Sequence, residues 1–406
     1  MTSDTIIKSH KVQIYPNQKM RNVLDSLIDY NRFCYNKGLE LWNDMYDESC
    51  IMNDKSLRPT ESKVRDSLVY DKTDWQYRYS ARVLQQAIHR LGIAWSNFFN
   101  PRMKNAYRPK FHSKRKPKQS FTSDRITISD EDDGYYLRLD KPRATTTSYD
   151  LIKMAEPLRF TGDIKMVTIT KHHNKYFACI VVKVPKHKSI NHQNSSTGVD
   201  MNIKHIDWSE GTINTLTTKM IMLQKRIVKY NQILANKRNV NPTHFRSKNY
   251  IKTQLKLNRD YEKIYNLQED LIQKTTHDLV VNYGLIGIED LNVNAMKMSK
   301  HLAKNIQRGL FGRFRETLSY KSKWNNISLV LVDRFYPSTQ ICSSCGYCKT
   351  KDDYGGKQTL FGDSIHHEHQ KYYCYNCGAI LDRDENAVNN IKNYAIKQQR
   401  AGLQPS

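Results

Sequence analysis

The sequence predicts a multidomain α+β protein, and three observations predict it. Strand-like segments at residues 5–14 and 121–185 bracket a region of helical spacing. Three acidic residues, far apart in sequence, fall on a strand, a second strand and a helix. Two Cys-x-x-Cys-Gly knuckles lie between the second and third of these acids. A length of 406 residues corresponds to two or three domains at roughly 150 residues each. The formal net charge of +25 exceeds what solubility asks for and points to a polyanionic partner, of which nucleic acid is the commonest. A chain with 38% hydrophobic residues and 25 Tyr is not disordered by composition, and 16 Gly with 11 Pro exclude a collagen-like one.

Residues 5–14 read as the first strand. Pro16-Asn17 opens a helix whose face is Val23, Leu27, Tyr30 and Cys34, continued by Leu41 and Met45. A polar stretch follows to about residue 73. Leu84, Ala87, Leu91, Trp95 and Phe98 mark a second helix, which Pro101 ends. These helices read as an insertion between strands. Residues 102–118 carry Arg102, Lys104, Arg108, Lys110, Lys114, Arg115, Lys116 and Lys118 without an acid, interleaved with Tyr107, Phe111 and the nearby Phe121. Charge with scattered aromatics is what phosphate tracking and base stacking use. Residues 121–185 read as β, most clearly the hairpin from Met166 through the His-His-Asn turn to Val184.

Residues 189–196 read as a linker. Residues 217–281 then read as a helical hairpin, with Met220, Leu223, Ile227, Tyr230 and Leu234 before the break at Asn239-Val-Asn-Pro242 and Ile251, Leu255, Ile264, Leu267 and Leu271 after it. The excess of Lys and Arg over acids in residues 217–263 favours a face lying along a phosphate backbone. No run of apolar residues is long enough to span a membrane, and the first residues lack the apolar stretch of a signal peptide. The expected location is cytoplasmic and nucleoid-associated.

The three carboxylates are Asp200, Glu289 and Asp384. Asp200 lies on a strand whose Val199, Met201 and Ile203 face one way and Gly198, Asp200 and Asn202 the other; Ser209-Glu-Gly211 suggests a hairpin partner. Glu289 shares its strand face with Gly287, whose missing side chain leaves room beside it. A helix around 314–324 and a strand at 328–333 follow. Asp384 heads a helix on which Ala387, Val388 and Ile391 share its face; Glu385 and Asn389 point elsewhere, and Asp382 reads as a cap. Three carboxylates on separate elements suit a pair of divalent cations about 3.5–4 Å apart, which hydrolyse phosphodiesters, and Mg²⁺ is the hard cation that such oxygens take.

Five of the eight Cys lie between 342 and 377, a metal pattern rather than a disulfide one. Cys342, Cys345, Cys374 and Cys377 form two knuckles, each followed by Gly, and four thiolates suit a closed, structural Zn²⁺ site. Cys348 is followed by Lys349 and reads as a spare. The long spacer carries His366, His367 and His369, which read as loop histidines while remaining chemically competent ligands.

Taken together, Gly198-Val-Asp200, Gly287-Ile-Glu289-Asp-Leu-Asn-Val, Val332-Asp-Arg-Phe-Tyr-Pro-Ser, the two knuckles and Asp382-Arg-Asp-Glu-Asn-Ala387 resemble TnpB, the transposon-encoded family ancestral to type V CRISPR effectors. The resemblance extends over nearly the whole chain, including Arg108-Pro-Lys-Phe-His-Ser-Lys before Ser120-Phe-Thr and the hairpin at 166–183. It departs from the family in the long knuckle spacer and in Cys348. It implies an N-terminal β-barrel (wedge) domain at 1–15 and 102–188, interrupted by a helical recognition domain at 16–101. A RuvC-like nuclease with an RNase H fold follows at 189–340 and 381–406, with a zinc-finger target-nucleic-acid-binding module inserted at 341–380. In it Asp200, Glu289 and Asp384 are the catalytic, Mg²⁺-binding triad. The implied activity is RNA-guided DNA endonuclease, with a noncoding guide RNA and target DNA as partners and cleavage beside a short target-adjacent motif. The setting is a transposon or a compact type V CRISPR system. Arg108, Lys110, Lys114, Arg115, Lys116 and Lys118 are the expected nucleic-acid contacts. The alternative is a non-cleaving, RNA-guided DNA-binding transcriptional regulator on the same scaffold, which the presence of all three carboxylates disfavours. A strand-joining transposase lacks support from any HUH or Tyr-nucleophile motif, and a purely structural zinc module leaves the charge and the acids unexplained.

Overall fold

The computed structural model describes every residue except 1–4, 104–105, 117, 173, 187–194, 203, 291–302, 351–352, 354–367, 369 and 403–406. The linker expected at 189–196 therefore lies largely outside the described residues, as do Lys104, Ile203 and the end of the Glu289 motif. The chain divides into two compact units, Met1–Lys186 and His187–Ser406.

In the first unit, β1 (Thr5–Tyr15) gives way to α1 (Gln18–Ile51). Asn17 caps α1, its side chain accepting from the Met20 N–H. Val23, Leu27, Tyr30 and Cys34 are buried, as their spacing predicts. The stretch read as polar contains a further helix, α2 (Glu61–Tyr70), capped by Thr60. It buries only Val64 and Leu68, one i, i+4 pair, too little apolar pattern to stand out in sequence. In α3 (Ala81–Phe99) Leu84, Ala87, Leu91 and Trp95 are buried and Trp95 stacks on Trp42 of α1 at 6.0 Å.

The strands β2 (Lys118–Ser123), β3 (Ile126–Glu131), β4 (Gly134–Leu139), β5 (Ile152–Met154), β6 (Asp163–His172) and β7 (Lys175–Pro185) follow. The region expected as a β-barrel is a seven-stranded antiparallel sheet in the order β2-β6-β7-β1-β5-β4-β3, with β2 and β3 at its edges. Alternation fixes β7: Tyr176, Ala178, Ile180, Val182 and Val184 are buried, and ten residues of β1 pair with it from Thr5↔Pro185 to Ile14↔Tyr176. The helices dock on this sheet, where Asp25 of α1 accepts from Tyr176 Oη at 2.7 Å and Lys171 Nζ at 2.6 Å.

The second unit is built on a five-stranded sheet in the order β10-β9-β8-β11-β12. Its strands are β8 (Ser196–Met201), β9 (His205–Trp208), β10 (Gly211–Asn214), β11 (Leu285–Glu289) and β12 (Ser328–Val332). The first three are antiparallel neighbours; β8, β11 and β12 run parallel. Between β10 and β11 stands the helical hairpin α4 (Thr218–Val240) and α5 (Lys248–Asn282). Ile251 and Leu255 do not continue its apolar seam: they are exposed, because the buried face of α5 is Tyr250, Leu257, Ile264 and Leu271, recurring every seventh residue, and Ile251 and Leu255 lie off it. One face of the sheet packs Val199, Met201, Ile286 and Ile288 against α5 and against Leu310, Phe311, Phe314 and Leu318 of α6 (Ala303–Asn325). The other face receives the last helix, α7 (Arg383–Arg400).

Two glycines set the approach of α7. A Cβ at Gly198 would overlap the Val388 carbonyl oxygen, and one at Gly287 would lie 2.8 Å from Ile391 O and 3.0 Å from Ala395 Cβ. The space expected beside Glu289 is therefore not open. It is filled by α7, which can reach the sheet only where side chains are missing.

Candidate metal centre

Parallel pairing of β8 and β11 sets Gly198 opposite Gly287 and Val199 opposite Ile288. One step along, Asp200 and Glu289 share the face on which α7 lies. The closeness that the glycines permit brings the first turn of α7 to Asp200, whose carboxyl feels the charge of Asp384. Asp382 caps that turn, its Oδ1 accepting from the Asp384 and Glu385 N–H groups at 3.0 Å each. Ala387, Val388 and Ile391 are buried against the sheet, and Glu385 is exposed. Asn202 ties the elements together: its Nδ2 donates to Asp200 Oδ2 at 2.9 Å and to Asp384 Oδ1 at 3.3 Å.

The electrostatics follow from this gathering. Asp200 is 6% exposed. Burial first, then the charges of Glu289, Asp384 and Asp207, push its carboxyl up to about 7, against the Asn202 hydrogen bond. Burial also raises Glu289, opposed by the Ser338 hydroxyl, which donates to Glu289 Oε1 at 2.6 Å. Asp384 is raised by burial, with His205 acting the other way. Mutually repelling carboxylates drawn out of water fit divalent cations, which supply the compensating charge.

The sequence reading missed two members of this cluster. Asp207 on β9 is the cross-strand partner of Asp200. His205 Nδ1 lies 2.6 Å from Asp207 Oδ2, and its Nε2 lies 3.7 Å from Asp384 Oδ2. Ligand atoms of His205, Asp207 and Asp384 all fall within 4.8 Å of one another. The hairpin signal at Ser209-Glu-Gly211 was the available clue, since antiparallel folding returns Asp207 to Asp200. Asp290, next to Glu289, is engaged elsewhere, paired with Arg315 and, at 2.9 Å, with Arg334.

The cysteine module forms a second centre. Cys342, Cys345, Cys374 and Cys377 converge with all four sulfurs within 4.8 Å. Sγ separations are 3.8 Å for Cys342–Cys377 and 3.6 Å for Cys345–Cys374, and a tetrahedral ZnS₄ site with Zn–S near 2.3 Å has edges of about 3.8 Å. Gly346 (φ +78°) and Gly378 (φ +72°) take the left-handed turn of each knuckle. Cys348 stands outside the cluster, its backbone bridged to Ile341. His366, His367 and His369 lie outside the described residues. The second knuckle is closed by β13 (Lys371–Tyr373) and β14 (Ile380–Asp382), which runs directly into α7.

In the first unit the basic segment is anchored to α1. Asn36 hydrogen-bonds the His112 backbone N–H and C=O at 2.7 and 3.1 Å, and Tyr35 stacks on the His112 ring at 3.8 Å. Arg108 lies 5.4 Å over the Trp95 ring and 3.7 Å from Asp47, and Lys114 pairs with Asp29 at 2.7 Å. Lys110, Arg115, Lys116 and Lys118 are exposed.

Three family profiles match the chain, together over more than half of it. They are described as "Helix-turn-helix domain" at residues 1–49, "Probable transposase" at 179–300 and "Cas12f1-like, TNB domain" at 311–391. Residues 5–49 hold a strand and one uninterrupted helix, so no second helix follows a turn there. A Streptomyces pristinaespiralis protein named "Putative RNA-guided DNA endonuclease" is 25% identical over 95% of this chain and 88% of its own. The mimivirus protein "TnpB-like protein L79" is 24% identical over 96% of this chain and 74% of its own. Among solved structures, a Cas12f1 in complex with sgRNA and target DNA superposes with a TM-score of 0.57 at 12% identity, over 96% of this chain and 99% of that one; this likeness is one of fold.

Proposed function

Because the chain belongs to the TnpB family of transposon-encoded proteins, we propose that it is a Mg²⁺-dependent, RNA-guided DNA endonuclease that cuts target DNA beside a short target-adjacent motif. The observation that supports this reading is the position of Asp200 within the fields of Glu289 and Asp384, its carboxyl raised first by burial and then by their charges. In this reading the three acids hold two divalent cations, which supply an activated water and a counter-charge for the leaving oxygen of the phosphodiester. Asn202 fixes the relative placement of Asp200 and Asp384. Asp207 and His205 set the charge along the β9 side. Asp290 stays neutralised by its arginines and out of the centre. The name of the Streptomyces relative supports the activity and the RNA guide, that of the mimivirus relative supports the family, and the presence of all three acids favours cleavage over a regulator that binds only. The domain assignments carry over as part of the proposal: a wedge around the first sheet, a recognition domain in α1–α3, and a RuvC-like core carrying the zinc module. Asp200→Ala should bind guide RNA and target DNA without cutting; cleavage by that variant at the wild-type rate overturns the reading.

The raised Asp200 gives a pH signature. Its folded pKa of about 7 lies above the value near 4 of an unfolded Asp. Between those limits the folded, metal-free protein binds more protons than the unfolded chain, so stability falls as pH rises through the window. Mg²⁺ replaces the protons and restores it. The Mg²⁺-induced rise in melting temperature should therefore be larger at about pH 8 than at about pH 5.5. An increment independent of pH would contradict the assignment.

The anchored basic segment is proposed to bind phosphates of the guide RNA through Arg108, Lys110, Lys114, Arg115, Lys116 and Lys118. Sequence is then read by base pairing, so the protein needs charge and shape there. Neutralising Lys114, Arg115 and Lys116 together should weaken RNA binding and flatten its salt dependence by about one unit for each phosphate no longer neutralised, while the chosen DNA sequence stays the same. A salt titration of RNA affinity measures this. An unaltered slope identifies the segment as a solvated surface.

A further inference from the structure

The segment that enters the zinc ribbon also touches the carboxylate centre. Ser338 precedes Cys342 by one turn's worth of chain. It is 4% exposed, and its hydroxyl is the hydrogen-bond donor that the Glu289 carboxylate finds among the described residues, at 2.6 Å. The same segment is gripped from α7. Asn390 Nδ2 donates to Ser338 O at 2.8 Å and to Ile341 O at 2.6 Å. One turn earlier, Asn386 donates to Ile341 O at 2.8 Å and accepts from the Ser343 N–H at 2.8 Å. Both asparagines are buried. Buried amides are costly unless satisfied, and on an otherwise apolar helix face these two are satisfied by the backbone flanking Cys342. The helix that carries Asp384 thus holds the first knuckle, and the held segment presents Ser338 to Glu289.

We propose that Ser338 is a positioning residue for Glu289, and that zinc in the four-thiolate site keeps Ser338 in place, so that zinc occupancy sets the divalent-cation affinity of the carboxylate centre. The inference rests on the reading of Glu289 as a metal ligand. Glu289 ends β11, and among the described residues the Ser338 hydroxyl is the group that hydrogen-bonds its carboxylate, from the segment that enters the ribbon. Hydrogen-bond partners of metal ligands are typically worth about 10–100-fold in metal affinity.

The test titrates the full-length protein with Mn²⁺, read by electron paramagnetic resonance, with folding followed by circular dichroism. Ser338→Ala should weaken Mn²⁺ binding by about tenfold or more. The isosteric pair Ser338→Thr and Ser338→Val separates the hydroxyl from the packing: Thr should retain affinity and Val should lose it, also when the Ala variant is unstable. Protein stripped of zinc and freed of chelator should show the same loss, reversed by one equivalent of Zn²⁺. Equal Mn²⁺ affinity in the Thr and Val variants, or full affinity without zinc, overturns the proposal. Glu289→Gln is the reference. If it also binds Mn²⁺ like wild type, the metal-centre reading itself fails; if it weakens binding while Ser338→Val does not, only the present inference does.

Discussion

Single replacement of Asp200, Glu289 or Asp384 by Ala is expected to reduce Mg²⁺-dependent cleavage by more than roughly 10³-fold, because metal-held charge contributes several kcal/mol to the transition state and 1.36 kcal/mol is tenfold in rate. Target binding should persist, since affinity comes from phosphate contacts and base pairing. The three variants differ in what they leave behind. Asp200→Ala removes the most buried of the three acids, a carboxyl that burial and then the charges of Glu289, Asp384 and Asp207 push up, so this variant should be at least as stable as wild type when metal is absent. Glu289→Ala leaves the Ser338 hydroxyl without its acceptor. Asp384→Ala removes the α7 acid while Asp382 continues to cap the helix. Asp382→Ala is the discriminating control: it should cost about 1 kcal/mol of stability as a lost N-cap and leave most cleavage intact. Cleavage assays on purified protein with guide RNA, beside binding measured without Mg²⁺, check all four. Loss in the Asp382 variant with activity in the Asp384 variant would invert the assignment of the helix face.

How much of this was legible before the fold was known depends on the range of the interaction concerned. Periodicity is local, and it placed β8, β11, α1, α3 and α7, with Asp200 and Glu289 on the strand faces opposite Val199 and Ile288. It also separated Asp384 from Glu385 and Asp382, because a cap and a buried face differ within one turn. What it could not see were pairings between distant segments. Asp207 looks like any strand acid until β9 folds back and sets it opposite Asp200. Gly287 reads as a gap in one strand; that the gap admits Ile391 and Ala395 appears only when the helix arrives. Asn386 and Asn390 have the spacing of a solvated helix flank, yet both are buried because their partners are backbone groups of the zinc ribbon. The α2 helix was missed for the opposite reason: its local signal is one buried pair, and packing on α1 and α3 stabilises the rest.

The cysteine centre carries the second large effect. The protein should hold about one Zn²⁺ per chain, bound by Cys342, Cys345, Cys374 and Cys377. Zinc binding contributes about 10–16 kcal/mol in zinc-finger peptides, so removing one thiolate should cost several kcal/mol and unfold the ribbon locally. Cys345→Ser and Cys377→Ser are therefore expected to lose most bound zinc and to lower the melting temperature by several degrees. The damage should not stop at the ribbon: β14 continues into α7 through the Asp382 cap, and the first knuckle is held by Asn386 and Asn390 of that helix. Cys348→Ser should do neither. Its sulfur lies outside the four-sulfur cluster, and its contribution to the fold is a backbone bridge to Ile341 that serine can also make. Elemental analysis of zinc per chain, paired with thermal unfolding of the same preparations, measures both effects. If Cys348→Ser sheds the metal while Cys345→Ser keeps it, the glycine-bearing knuckles are not the zinc site, and Cys348 replaces one of the four ligands.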